Sequence, residues 1–168
     1  PVEQYWRDNR LNMIHEGTHG IQGADLLGRK VLMEGGRGLQ LLATRINTTI
    51  QRAIQQPALA AEANALGKAL QHVGAATKAA WATGNPAEAL PNAVPYMQAF
   101  GHMVLAWVWL DVVLAALDKD AAQSDAATQG RVGAARYFFR YELPKIASWL
   151  AVVETRDTTC ADMPEAAF

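Results

Sequence analysis

A single cysteine, Cys160, stands in 168 residues, which excludes an internal disulfide framework. That usage suits the cytoplasm, the location expected here. Charge is scarce too: Asp, Glu, Lys and Arg make up 18% of the chain, the net charge is −1, and no Lys/Arg cluster supplies the electrostatic footprint of a nucleic-acid binder. No uninterrupted apolar run approaches the roughly 20 residues needed to cross a bilayer, so a soluble chain without a membrane span is predicted. No period-2 segment flanked by hairpin turns is present, so no sheet is expected. The opening Pro1-Val2-Glu3-Gln4 has neither a signal peptide nor a methionine, and the expectation is a piece of something longer. What the chain does have is apolar residues, at 51%. One domain, or a small domain with an appendage, can then bury about two thirds of its unfolded surface.

Apolar spacing of three to four residues recurs almost throughout. Val31-Leu32-Met33 runs into Glu34-Gly35-Gly36-Arg37-Gly38, whose glycines can take the left-handed conformation that ends a helix. From there Leu39, Leu42, Ile46, Ile50 and Ala53 predict a helix over about 38–55, stopped by Pro57. Leu59, Ala63, Leu66, Leu70, Val73, Thr77 and Trp81 predict the next, about 58–82. Asn85 as N-cap, Pro86 at the first helical position and Glu88 start a short helix that Pro91 and Pro95 limit. Tyr96 to Leu117 is the most apolar stretch, with Asp111 its one charge, and is predicted to be the central helix. After a polar loop at 118–128, Val132, Ala135, Phe139, Leu143, Ile146, Leu150 and Val153 predict a last helix kinked at Pro144. The fold class expected is all-α, an antiparallel helical bundle.

Residues 38–117 carry seven charged side chains, Arg45, Arg52, Lys68, Lys78, Glu62, Glu88 and Asp111. A free-standing small domain usually shows roughly 25–35% charge on its surface, so part of this bundle is expected to pack against other protein.

His15-Glu16-Gly17-Thr18-His19 can be read in two ways. As His-Glu-x-x-His on a helix, it would hold zinc between two imidazoles with Glu16 as general base of a hydrolase. That reading needs helix through Gly17 and Thr18, where Gly costs roughly 1 kcal/mol relative to Ala. It also needs a third ligand, and Glu34, His72 and His102 lie in segments without a motif. The other reading breaks the chain at Gly17 and starts a helix at Thr18, a good N-cap, with Ile21, Leu26, Leu27 and Val31 as its apolar side. Glu16 then sits on a turn between two helices.

The flanks of that turn, Pro1-Val2-Glu3-Gln4-Tyr5-Trp6-Arg7-Asp8-Asn9-Arg10-Leu11-Asn12-Met13-Ile14 before and Gly20-Ile21-Gln22 after, carry a resemblance. Arg-Asp, a short helix, Glu-Gly-Thr and Ile-Gln resemble the end of the C-terminal helical domain of flavin-dependent acyl-CoA dehydrogenases. Leu26-Leu27-Gly28-Arg29-Lys30 and Gly35-Gly36-Arg37 resemble the subfamily of the 3-methylmercaptopropionyl-CoA dehydrogenase type, which has an extra helical domain. Residues 1–37 would close the dehydrogenase domain, and 38–168 would be the extra bundle.

The resemblance implies a role for each matching position. Glu16 would be the catalytic base that takes the α-proton of an acyl thioester while FAD takes hydride from the β-carbon. Its own backbone amide would help hold the thioester carbonyl. Gly17 would let the backbone approach substrate, and Thr18, Gly20 and Gln22 would meet the flavin's phosphate or adenosine end at a helix N-terminus. Implied partners are acyl-CoA, the remaining domains of the same enzyme, further copies in a homo-oligomer, and electron-transfer flavoprotein or a similar acceptor. His15 stands where Tyr or Phe is usual, and Gly23 where Arg often follows Ile-Gln. Because the family's N-terminal helical and middle β domains are not in this chain, it is expected to be inactive alone. A helical interaction or oligomerisation domain without chemistry is the alternative. His72 and His102 read as satisfied core or boundary residues, the five tryptophans as core and interface anchors, and Arg131, Arg136 and Arg140 as a solvated face.

Overall fold

The computed structural model describes residues 2–13, 18–122 and 125–167. They form α1 (Val2–Asn9), α2 (Thr18–Asp25), α3 (Met33–Ile54), α4 (Ala60–Ala80), α5 (Pro86–Ala89), α6 (Ala93–Lys119), α7 (Ala126–Tyr137) and α8 (Ile146–Glu154), with no strand among the described residues. The all-α reading holds. Each boundary has a local cause. Asn85 accepts a hydrogen bond from the Ala87 amide at 3.1 Å and so starts α5, and the Asp125 carboxylate accepts from the Ala127 and Thr128 amides to start α7. α7 therefore begins before the polar loop was expected to end. α6 also starts early, at Ala93, because Pro95 falls in its first turn, where the missing N–H has no intrahelical acceptor to lose. The kink expected at Pro144 is a longer break: a π-turn over Phe138–Glu142 and a 3-10 turn over Leu143–Lys145 separate α7 from α8. A proline ring and a lost amide inside a helix explain it.

α6 is the centre of the bundle and packs against α3, α4, α7 and α8. Its buried residues Tyr96, Ala99, Met103, Ala106, Leu110 and Val113 meet Leu66 and Val73 of α4, Ile46 and Ile50 of α3, and Leu150 and Val153 of α8 in one core. Each large side chain so buried is worth about 1.5–3 kcal/mol. Ala63, Ala69, Ala76 and Ala80 let α4 approach closely. By length and composition alone α6 could cross a bilayer, with a mean hydropathy of 1.8 in its most apolar window. Gln98, His102 and Asp111 interrupt the run, and in this fold the helix is the one around which the others pack.

Two polar groups are built into that core. Thr77 donates to the Val73 carbonyl at 2.7 Å and lies 2.6 Å from the Tyr96 hydroxyl. Burial pushes the Tyr96 phenol up to about 12, with the Thr77 hydrogen bond opposing. Trp107 donates to Thr49 at 2.8 Å, and Thr49 donates to Asp111 at 3.0 Å, which gives the carboxylate in the middle of the apolar helix a partner.

Candidate active site

Two helices flank residues 14–17, and they differ in what holds them. Glu16 and Gly17 themselves, with Ile14 and His15, lie outside the described residues. On the upstream side, α1 buries none of its residues: Val2 is 80% exposed, Tyr5 75% and Trp6 63%. Its side-chain interactions among the described residues are local. Glu3 pairs with Arg7 at 3.3 Å, Gln4 donates to Asp8 at 2.7 Å, and the Arg10 guanidinium sits 5.1 Å from the Trp6 ring centre. Trp6, expected as an anchor, anchors nothing among the described residues.

On the downstream side, α2 is locked to the bundle. A Cβ at Gly23 would stand 2.9 Å from the Ala93 carbonyl oxygen, closer than real Cβ atoms come, so α2 meets the start of α6 through a residue that has to be glycine. Four residues on, Leu27 is fully buried and its carbonyl accepts the Trp81 indole N–H at 3.0 Å; Val31 follows into the same core. The buried face thus runs 23, 27, 31. Ile21, expected on the apolar side, is off that face and 69% exposed. The clash at Gly23 also explains why this chain cannot carry the arginine usual after Ile-Gln. Sequence reasoning treated Gly23 as a departure and missed that it is a packing position.

α2 starts at Thr18, where a helix start was expected; Thr18 is half-buried, while His19, Gly20, Ile21 and Gln22 are exposed. Among the described residues, no atom outside its own stretch of helix lies within 4 Å of where a Cβ at Gly20 would be. Thr18, Gly20 and Gln22 all fall within the first five residues of α2, where at about 100° per residue Thr18 and Gln22 share a side and Gly20 faces the other. Asp25 closes the helix, its carboxyl held below the ordinary range by hydrogen bonds from Arg29. Beyond a π-turn at Leu26–Lys30, Glu34, Gly35 and Gly36 adopt φ of 51°, 65° and 85°, the left-handed turn that two adjacent glycines allow. Leu26, Val31, Met33, Leu39, Leu42 and Phe100 line an apolar groove of about 530 Å³ beside it.

The zinc reading has His15 and Glu16 outside the described residues, and His19 exposed on α2. Its candidate third ligands have other partners: Glu34 pairs with Arg37 at 3.2 Å, His72 with Glu154 at 3.1 Å, and His102 packs edge-on to Trp149 with Nδ1 3.0 Å from the Gln98 carbonyl. Both histidines are boundary residues, as expected.

Residues 42–164 match the family described as acetyl-CoA dehydrogenase C-terminal like. The chain belongs to that family. Over its whole length it is 29% identical to a broad-specificity linear acyl-CoA dehydrogenase of Mycobacterium tuberculosis, of which it covers 30%. It is 37% identical over 116 residues, 63% of its length, to the 3-methylmercaptopropionyl-CoA dehydrogenase of Ruegeria pomeroyi, covering 18% of that enzyme. A butyryl-CoA dehydrogenase of Syntrophomonas wolfei is 27% identical across 96% of the chain, which covers 28% of it. The chain thus spans less than a third of the length of these relatives.

Proposed function

We propose that this chain is the C-terminal part of an FAD-dependent acyl-CoA dehydrogenase, with residues 1–37 closing the catalytic domain and 38–168 forming an added bundle. The observation that carries the reading is the helix start at Thr18, immediately after Glu16-Gly17, with its first turn open and its second turn locked to the bundle. Glu16 is the base that removes the α-proton, and apolar walls supplied by the other domains raise its affinity for protons into the working range. Gly17 gives the substrate access to the backbone. Thr18, Gly20 and Gln22 fit a flavin's phosphate end, because the free amides of a helix N-terminus attract anions and Gly20 leaves room for a close approach. The flavin, when bound, accepts the hydride from the β-carbon. The remaining domains also cover the exposed apolar residues of α1 and the ridge Leu105, Val108 and Val112 on α6. Further copies, and a cytoplasmic electron acceptor such as electron-transfer flavoprotein, complete the proposed setting.

In the full-length enzyme, Glu16→Gln should abolish α-proton exchange of a bound acyl-CoA while flavin stays bound. Exchange at the wild-type rate in that variant overturns the base assignment.

A further inference from the structure

α2 and the π-turn after it dock on the bundle at Trp81, Leu90 and Ala93. Ala93 faces Gly23, and Leu90 faces Gly28, where a Cβ would stand 3.2 Å from the Leu90 Cδ2 atom. Trp81, the residue that closes α4, donates its indole N–H to the Leu27 carbonyl at 3.0 Å. The amides that would ordinarily reach that carbonyl are spent elsewhere. Val31, whose N–H is its partner in a regular α-helix, donates to Leu26 at 3.0 Å, and Leu32 donates to Arg29 at 3.1 Å. Leu27 is fully buried, so its carbonyl has no recourse to water. A bare carbonyl in such a place is costly, and the π-turn at Leu26–Lys30 and the Trp81 hydrogen bond are therefore two halves of one arrangement.

That arrangement has a rotational consequence. Over eight residues a regular helix drifts by about 80°, which would carry Val31 away from the side on which Gly23 docks. The extra residue of a π-turn takes about 100° back, and Gly23, Leu27 and Val31 then bury on one side. Without Trp81, the Leu27 carbonyl would recover the Val31 amide and the π-turn would revert to α-helix. The first turn of α2 would swing by about 100° against the bundle, and Thr18 and Gln22 would swing with it.

We propose that the added bundle sets the rotational position of the flavin-facing turn, with Trp81 as its positioning residue. The proposal rests on the dehydrogenase reading of Thr18 and Gln22, on which Trp81 acts through the Leu27 carbonyl. Trp107 supplies the control, because its indole makes the same kind of bond, to Thr49 at 2.8 Å, in the middle of the bundle. In the 168-residue chain, Trp81→Phe should speed hydrogen exchange of the amides from Gly23 to Val31 about tenfold beyond any change in α8, whereas Trp107→Phe should change both regions together. In the full-length enzyme loaded with FAD, Trp81→Phe should release FAD about tenfold faster and, with flavin bound, slow α-proton exchange of a bound acyl-CoA about tenfold. Trp107→Phe should keep both at wild-type values. Unchanged exchange of the α2 amides in folded Trp81→Phe, or losses in Trp107→Phe equal to those in Trp81→Phe, would overturn the positioning role. Glu16→Gln reports separately on the dehydrogenase reading. Proton exchange at the wild-type rate in Glu16→Gln overturns that reading and the site Trp81 would serve, whereas an inactive Glu16→Gln beside an unimpaired Trp81→Phe overturns the positioning alone.

Discussion

The helix before residues 14–17 and the helix after them are alike in length, and the structure treats them oppositely. α1 has the more sharply drawn apolar side and buries none of it, whereas α2, the less polar of the two, is fixed through Gly23 to a core that extends through α3, α4, α6 and α8. The difference teaches that burial here follows what lies opposite, not how sharply the apolar side of a helix is drawn. α1 and the open turn of α2 have the surface of elements that something else completes, which is what a catalytic carboxylate at that junction would require.

The sharpest way to break this contrast is to truncate side chains on each side of it. Leu110→Ala or Leu150→Ala, in the fully buried core, should cost about 2–5 kcal/mol in denaturant unfolding. Trp6→Ala should change the stability of this chain by less than about 0.5 kcal/mol, despite its larger side chain. The two glycines of α2 sharpen the contrast within one helix. Gly23→Ala should destabilise by about 1–3 kcal/mol, because the Ala93 backbone has to move. Gly20→Ala, three residues earlier, should stabilise the isolated chain by up to about 1 kcal/mol, as alanine does inside a helix with room for it. In the full-length enzyme the same Gly20→Ala change should weaken flavin binding. A smaller effect is expected at the α5 start, where Asn85→Ala removes the cap and should cost about 1 kcal/mol.

The smallest effects should come from surface carboxylates, and they carry a sign. Hydrogen bonds from Thr83 and Asn85, aided by Arg156, hold the Glu88 carboxyl below its ordinary range, and Lys145 does the same for Glu142. A lowered folded-state value stabilises above the unfolded carboxylate range, and that stabilisation disappears as pH falls through the folded values. Thermal scans should therefore show stability lost below the ordinary carboxylate range, with a smaller acid loss in Lys145→Ala.

Much of the bundle was legible in the sequence because its signals are local. Apolar spacing of three to four residues placed α3, α4 and the buried side of α7–α8, and Asn85-Pro86 placed α5. What misled were features that depend on register or on a distant partner. Ile21 looked apolar and in step, but the face set by Gly23, Leu27 and Val31 leaves it outside. Gly23 looked like a missing arginine because nothing near it in sequence reveals Ala93, seventy residues on. Of the candidate site, the sequence supplied the residue types and the helix start at Thr18; the openness of Gly20 and the docking of the second turn needed the fold.

Hydrogen exchange on the 168-residue chain, read helix by helix, tests the central contrast most directly. Amides of α4, α6 and α8 should exchange only through global unfolding, while those of α1 should exchange faster by orders of magnitude and gain protection in the full-length enzyme. Amides of α1 protected to the global limit in the isolated chain would contradict the account, since α1 would then have a partner within the bundle.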